Sequence, residues 1–259
     1  MTARQALAEA ERRLAAAGID TPRVDAELLV AHALGVSRTQ VYADLDREVD
    51  GLEPLLARRE TREPLAYVLG EWGFRRLTLK TDSRALVPRP ETEVVVERAI
   101  ALLDGSSAPR VLDVGVGSGA IALALKDERP DALVTGVDKS EAALSLAREN
   151  AEHLHLDVEL RRAGLEAAAE GWDLVVSNPP YIESHEDLQP ELRFEPDVAL
   201  FGEGLQEALA ARARTRALVV EVGAGQAGGI ARALESLGYH DVKVTRDLAG
   251  VERVVEGLR

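Results

Sequence analysis

The chain has 259 residues, 46% of them hydrophobic, and carries a net charge of −14. That length buries a sizeable core in one large or two small domains, and that hydrophobic share excludes a disordered chain. The acidic balance argues against a large nucleic-acid footprint, which is normally basic.

The first seventy or so residues carry helical spacing only. Ala3 to Ala17 repeats apolar residues at that spacing and stops at Gly18. Thr21-Pro22 then supplies a cap and a proline at the first helical position, for a helix ending at Gly35. Ser37 caps a third short helix, and Asp50 begins a fourth through Leu52, Leu55 and Leu56. A small helical bundle over 1–70 follows. From Glu71 the pattern changes. Gly73 to Leu79 reads as one strand and Ala85-Leu86-Val87 as a second, giving a hairpin linker over 71–87 with its turn near Thr81-Asp82-Ser83. Arg58, Arg59, Arg62, Arg75 and Arg76 form either a local basic patch or a solvated helix face and hairpin. Arg89 and Glu91, in the proline-punctuated loop Val87 to Thr92, belong either to a helix start or to a pocket wall.

Strand and helix then alternate through 88–259. Strands are predicted at 110–114, 133–138, 157–161, 173–177 and 217–222, and helices at 118–127, 140–154 and 226–237. This is the pattern of an α/β, Rossmann-like domain with a parallel sheet. Asp241 to Thr245 and Val251 to Val255 are too close for a crossover helix, so they form an antiparallel hairpin. No apolar run spans a membrane. The N-terminus opens directly into a polar helix pattern, so no signal peptide is expected and a cytoplasmic location is the default. No cysteine is present, which excludes disulfides, thiolate zinc sites and the thiolate attack that methylation at cytosine carbon needs. The five histidines, His32, His153, His155, His185 and His240, show no metal spacing.

Two segments carry chemistry. In Val111-Leu112-Asp113-Val114-Gly115-Val116-Gly117-Ser118-Gly119, a strand enters a helix through glycines at the first, third and fifth positions. A dinucleotide fingerprint has them at the first, third and sixth, over a pyrophosphate. Asp113 beside the loop repels phosphate and attracts an ammonium or a sulfonium. Asp138 closes the next strand, about 20 residues further on, where an acid accepts from ribose hydroxyls. Together these residues describe a pocket for S-adenosylmethionine.

The second segment is Asn178-Pro179-Pro180-Tyr181, at the end of an apolar run. It offers a side-chain amide oxygen, a proline carbonyl and a ring face to a planar NH2 group. Attack by that nitrogen on a methyl sulfonium makes its hydrogens more acidic. Acceptors on those hydrogens, Asn178 Oδ1 and the Pro179 carbonyl, therefore bind the transition state more tightly than the ground state. The prolines lock the carbonyl direction. Tyr181 offers its π face to the planar group or to the cationic methyl.

On these motifs the chain resembles the PrmC (HemK) protein methyltransferases. The likeness also covers Glu63 to Gly70, Val87 to Glu93, Phe194-Glu195-Pro196, Ala199-Leu200 and Arg246 to Arg253. It implies a helical N-terminal domain that helps dock a peptide chain release factor. It implies S-adenosylmethionine held by Asp113, Gly115, Val116, Gly117, Ser118, Gly119, Asp138 and Asn178, with Leu165 beside the adenine. It implies that Asn178, Pro179, Pro180 and Tyr181 receive the glutamine of a Gly-Gly-Gln motif. The segment between Leu200 and Leu218 is shorter than is usual in that family, so one helix there is shortened. The alternatives are methylation of an exocyclic, adenine-type amine on nucleic acid, and an S-adenosylmethionine-binding adaptor without catalysis.

Overall fold

A computed structural model describes residues 1–182 and 188–259. The chain divides into two compact units. One contains residues 1–71 together with 188–194, and the other 72–187 with 195–259. His185 lies outside the described residues.

The first unit is helical: α1 (Ala3–Ala16), α2 (Pro22–Leu34), α3 (Arg38–Val41), α4 (Leu52–Glu60) and α5 (Leu65–Leu69). Local chemistry sets its boundaries. Thr2 and Gln5 close a capping box on α1, Ser37 and Gln40 close another on α3, and Gly35 ends α2 in the left-handed region. The core is Ala6, Ala10, Leu14, Leu29, Val30 and Leu56, all nearly inaccessible. Each large aliphatic buried here contributes about 1.5–3 kcal/mol. Beneath that core runs a charged network. Arg59, only 6% exposed, donates to Asp25 Oδ2 at 2.8 Å and to Glu191 Oε1 at 3.1 Å, and Arg62 donates to Glu191 Oε2 at 2.8 Å. Glu191 belongs to the returning segment 188–194, so a distant stretch of chain completes this unit.

At the start of the second unit, which takes in all of the hairpin but Glu71, β1 (Glu71–Phe74) and β2 (Leu77–Lys80) form a two-stranded sheet with only Arg75 and Arg76 between them. The turn therefore falls inside the segment expected to be one strand, and Ala85 to Val87 is not a strand. The reason is phase. Phe74 and Leu77 are both buried yet three apart, so a single strand would place them on opposite faces. Arg75 takes the left-handed conformation (φ 51°) that the turn requires.

The remaining elements are α6 (Thr92–Leu102), β3 (Arg110–Val114), α7 (Ala120–Glu128), β4 (Leu133–Asp138), α8 (Glu141–Leu154), β5 (Glu159–Arg162), β6 (Trp172–Ser177), α9 (Asp197–Leu200), α10 (Leu205–Arg212), β7 (Thr215–Glu221), α11 (Ala227–Ser236), β8 (His240–Arg246) and β9 (Glu252–Leu258). They build one seven-stranded sheet in the order β5-β4-β3-β6-β7-β9-β8. The first five strands in that order are parallel, while β9 runs antiparallel to both β7 and β8. Both faces are covered. Val111, Leu174, Val176 and Val219 point to the face carrying α6, α7 and α8, whereas Leu112, Val175, Leu218 and Val220 point to the face carrying α10 and α11. The shortened segment keeps a helix, α10, whose Leu209 and Ala210 are buried in that second face. From β3 the chain steps outward through β4 and β5, then returns to β6 on the other side. Strand order reverses between β3 and β6, and the crevice at such a point is where this architecture binds ligands. No described helix is long and apolar enough to cross a membrane.

Candidate functional site

A cavity of about 370 Å³ opens at the carboxyl ends of β3, β4 and β6. Gly115, Val116, Gly117 and Ser118 form its floor, with Asp138, Leu165, Asn178, Pro179 and Pro180 in its walls. The glycine loop is held by backbone. The amides of Gly115 and Val116 both donate to the Val137 carbonyl, at 2.8 and 2.9 Å, and Gly119 donates to Val116 at 2.8 Å. A Cβ on Gly136 would sit 2.6 Å from Val116 Cγ2, so β4 has to be bare there for the loop to lie against it. Gly119, at φ 91°, turns the chain into α7 and lies outside the lining.

Asp138 Oδ2 accepts from the Gly117 amide at 3.0 Å and Oδ1 from the Ser140 amide at 2.9 Å. Each carboxylate oxygen retains a lone pair for a hydroxyl in the cavity. Asp113 behaves otherwise. It is fully buried beneath the loop, is not part of the cavity wall, and accepts from the Ala122 amide at 3.1 Å. Burial pushes its pKa up to about 7, against the Ala122 hydrogen bond that lowers it, and the charge of Asp138 adds to the rise. Its Oδ1 has no hydrogen-bond partner among the described residues. The expected direct attraction between Asp113 and a ligand's ammonium is therefore corrected. One oxygen caps α7 from below, at a depth that local sequence does not encode.

The Asn178 side of the cavity rests on side chains brought from far apart. Ser177 Oγ donates to the Val114 carbonyl at 2.6 Å and ties β6 to β3 at their tips. Asn178 Nδ2 donates to Thr92 Oγ1 at 3.2 Å, and Thr92 Oγ1 donates to Glu221 Oε2 at 2.7 Å. Glu221, at the end of β7, is fully buried, and burial raises its pKa to about 7. Thr92 and Glu221 had no place in the sequence-derived site, since they lie 86 and 129 residues from their partners.

Tyr181 also departs from expectation. It is not part of the lining. Its hydroxyl donates to Glu221 Oε1 at 3.4 Å, and Gln226 Nε2 holds its carbonyl at 3.3 Å. A Cβ on Gly223 would come within 3.1 Å of Tyr181 Cδ2, so that glycine leaves room for the ring beside β7. Burial and the Glu221 charge raise the phenol to about 12, which keeps it protonated and donating. Arg89 lines the cavity and pairs with buried Glu195, whose other oxygen accepts from the Val87 amide at 3.0 Å. Glu91 is not in the lining; it stands at the start of α6 without a side-chain capping bond. The five arginines do not form a free basic patch, because each is paired: Arg58 with Glu63, Arg59 and Arg62 with Glu191, Arg75 with Glu128 and Arg76 with Asp127. Arg58 and Arg76 lie on a solvated helix face and hairpin, whereas Arg59 is buried and Arg62 and Arg75 are half-buried.

Parallel strands whose order reverses beside a glycine loop, with an acid closing the neighbouring strand, place the larger unit among the Rossmann-like class I methyltransferases. A model of the methyltransferase small domain matches residues 96–193, and one of the PrmC N-terminal domain matches residues 5–70. The fold is shared with the hMettl16 catalytic domain, solved with a MAT2A 3′UTR hairpin (TM-score 0.58, 15% identity, 79% of this chain and 81% of that one). It is also shared with a methyltransferase from Pyrococcus furiosus (TM-score 0.50, 17% identity, 70% and 87%). The release factor glutamine methyltransferase of Rhodospirillum rubrum is 43% identical over 95% of this chain and 82% of its own length. That of Deinococcus radiodurans is 42% identical over 100% and 99%. The chain belongs to the release factor glutamine methyltransferase family.

Proposed function

We propose that this enzyme transfers a methyl group from S-adenosylmethionine to the side-chain amide nitrogen of a release-factor glutamine, the one in the Gly-Gly-Gln motif. One observation carries the chemistry. Asn178 lines the same cavity as Asp138 and the glycine loop, and its NH2 group is engaged by Thr92, which leaves Oδ1 as an acceptor. An acceptor at that position suits an incoming NH2 and repels an incoming carbonyl.

The residues present fit the cofactor. Asp138 has lone pairs for a pair of vicinal hydroxyls, Leu165 offers an apolar wall for a base, and the loop from Gly115 to Ser118 lines the same cavity. Bound S-adenosylmethionine supplies a methyl group on a sulfonium that is already a good leaving group. The protein's part is positioning, which accounts for a large share of the rate in reactions of this kind. Asn178 Oδ1 and the Pro179 carbonyl take the two amide hydrogens and aim the nitrogen lone pair into the cavity. As that nitrogen becomes positive, both hydrogen bonds strengthen, which lowers the barrier. The nitrogen then sheds a proton and regains amide conjugation. No strong base is required, because an N-protonated amide is a strong acid. The helical unit is the proposed docking element for the release factor, which acts in the cytoplasm.

The test uses labelled S-adenosylmethionine with purified release factor, and in parallel with tRNA, rRNA and DNA. Label is expected in the release factor. Label in nucleic acid alone would overturn the proposal in favour of an adenine-type amine. Cofactor binding with no transfer to any acceptor would favour an adaptor.

A further inference from the structure

A side-chain amide can present either end to a ligand, and the two ends have opposite hydrogen-bonding character. Asn178 works as an acceptor only if its NH2 group is turned away from the cavity. Its partner, Thr92 Oγ1, does not settle this alone, because a hydroxyl both donates and accepts. A threonine has one hydroxyl proton, however, and here that proton lies on the short bond to Glu221 Oε2, 2.7 Å long. With its proton committed, Thr92 can only accept from Asn178.

We infer that Glu221 is a positioning residue that sets the direction of the chain Asn178–Thr92–Glu221, and so determines which end of the Asn178 amide faces the substrate. This rests on the proposed amide-methylating function. Glu221 is suited to the role because an ionised carboxylate only accepts. Its second oxygen is met by the Tyr181 hydroxyl at 3.4 Å, itself a donor. Both hydrogen bonds therefore point toward Glu221. The packing prevents water from substituting, since Glu221 and Thr92 are both buried. The elements come from α6, β6 and β7, so the tip of the sheet has to assemble before Asn178 is oriented.

Reversing the direction has a definite result. A group at position 221 that donates to Thr92 makes Thr92 donate in turn to Asn178 Oδ1. The amide flips and its NH2 meets the substrate's NH2, donor against donor. Glu221→Gln replaces one acceptor oxygen by a donor with almost no change of shape; on Thr92 that donor drives the reversal, while Thr92→Val breaks the chain whichever way the new amide turns. Protonation of Glu221 does the same, so turnover falls as pH drops through about 7, the value to which burial raises this group. The charged and titratable groups facing Glu221 are Glu91 at the start of α6, Arg253 on β9 and Tyr181 after β6. Glu91 raises its pKa; Arg253 and the Tyr181 hydrogen bond lower it. Asp113 titrates in the same range and contributes its own limb to any pH profile. The limb that Glu221→Gln removes is the one assigned to Glu221.

The sequence allows a direct test, because Asn150 and Asn178 are its only asparagines. Protein labelled with nitrogen-15 at asparagine shows two side-chain NH2 pairs. Asn150 is an internal reference for the fold, with its NH2 on the Ser118 carbonyl at 2.9 Å and its Oδ1 on the Lys80 amide at 2.7 Å. In Glu221→Gln the Asn178 pair is expected to shift and to exchange faster, while the Asn150 pair stays in place. On release factor, kcat is expected to fall about a hundredfold, with cofactor affinity within about twofold of wild type. Thr92→Val is expected to give a similar loss, and Thr92→Ser, which keeps the hydroxyl, to recover most of it. An unmoved Asn178 pair with wild-type kcat in Glu221→Gln would overturn the inference, as would equal losses in Thr92→Ser and Thr92→Val. Absence of wild-type activity on release factor would instead count against the proposed function, and the nitrogen-15 spectra would still decide the direction of the chain.

Discussion

The two sides of the cavity are built by different means. The glycine-loop side is made from one continuous stretch of backbone, Val114 to Ala120, braced on the neighbouring strand through the Val137 carbonyl. The Asn178 side is made from side chains on three elements, joined by hydrogen bonds that span 86 and 129 residues of sequence. A backbone cradle tolerates most side-chain changes nearby and is sensitive to glycine replacement. A side-chain relay behaves in the opposite way. The division also has a chemical sense, because holding a cofactor requires shape, whereas accelerating its reaction requires one acceptor pointed in one direction.

The largest expected effect separates these two functions. Asn178→Ala removes the acceptor and leaves the loop intact, so kcat is expected to fall about a thousandfold. Cofactor affinity by calorimetry is expected to remain within about twofold, since none of the loop's own hydrogen bonds involves Asn178. A collapse of affinity with a normal residual rate would break the comparison. Asp138→Ala should do the reverse. Cofactor affinity is expected to weaken about 10- to 100-fold through lost hydrogen bonds to a charged acceptor, with kcat at saturation little changed. Gly119→Ala tests the backbone cradle. At φ 91° a side chain is strained, and its Cβ would lie 2.8 Å from Leu123 Cδ1. A stability loss of about 1–3 kcal/mol in chemical denaturation is expected.

The smallest effect concerns Asp113. Its folded pKa of about 7 lies above the ordinary carboxylate value. The neutral form is the one the fold accommodates, so its contribution is complete below the unfolded pKa and is lost as pH rises through about 7. Asp113→Asn is expected to flatten the decline in melting temperature between roughly pH 4 and pH 7, without abolishing it, because Glu221 titrates over much of the same window. A wild-type slope in that variant would show that Asp113 is not a buried, titrating acid.

What was legible in the sequence follows the same division. Helix limits in the first unit follow from Gly18, Pro22, Gly35 and Ser37, because caps are local chemistry. The parallel strands follow from apolar runs between turn signals, and the loop follows from glycine spacing. The hairpin turn is not legible in the sequence, because buried Phe74 and Leu77 are out of phase, which alternation alone conceals. The helix α5, five residues long, is too short for periodicity to show. Asp113 is legible as a neighbour of the loop, but depth is a tertiary property, and only the packed sheet buries it completely. Thr92 and Glu221 had no local signature, since a threonine at a helix start and a glutamate at a strand end are ordinary until the fold brings them together. The same holds for Glu191, which completes the Arg59 and Arg62 network across 132 and 129 residues.

The account depends on a planar amide nitrogen receiving the methyl group. The measurement that tests this most directly is a fragmentation mass spectrum of the release-factor peptide containing Gly-Gly-Gln, after incubation with the enzyme and S-adenosylmethionine. The account predicts one added methyl, located on the glutamine side chain and absent from the Asn178→Ala reaction. A methyl on any other residue of that peptide, or an unmodified peptide beside methylated nucleic acid, would contradict it.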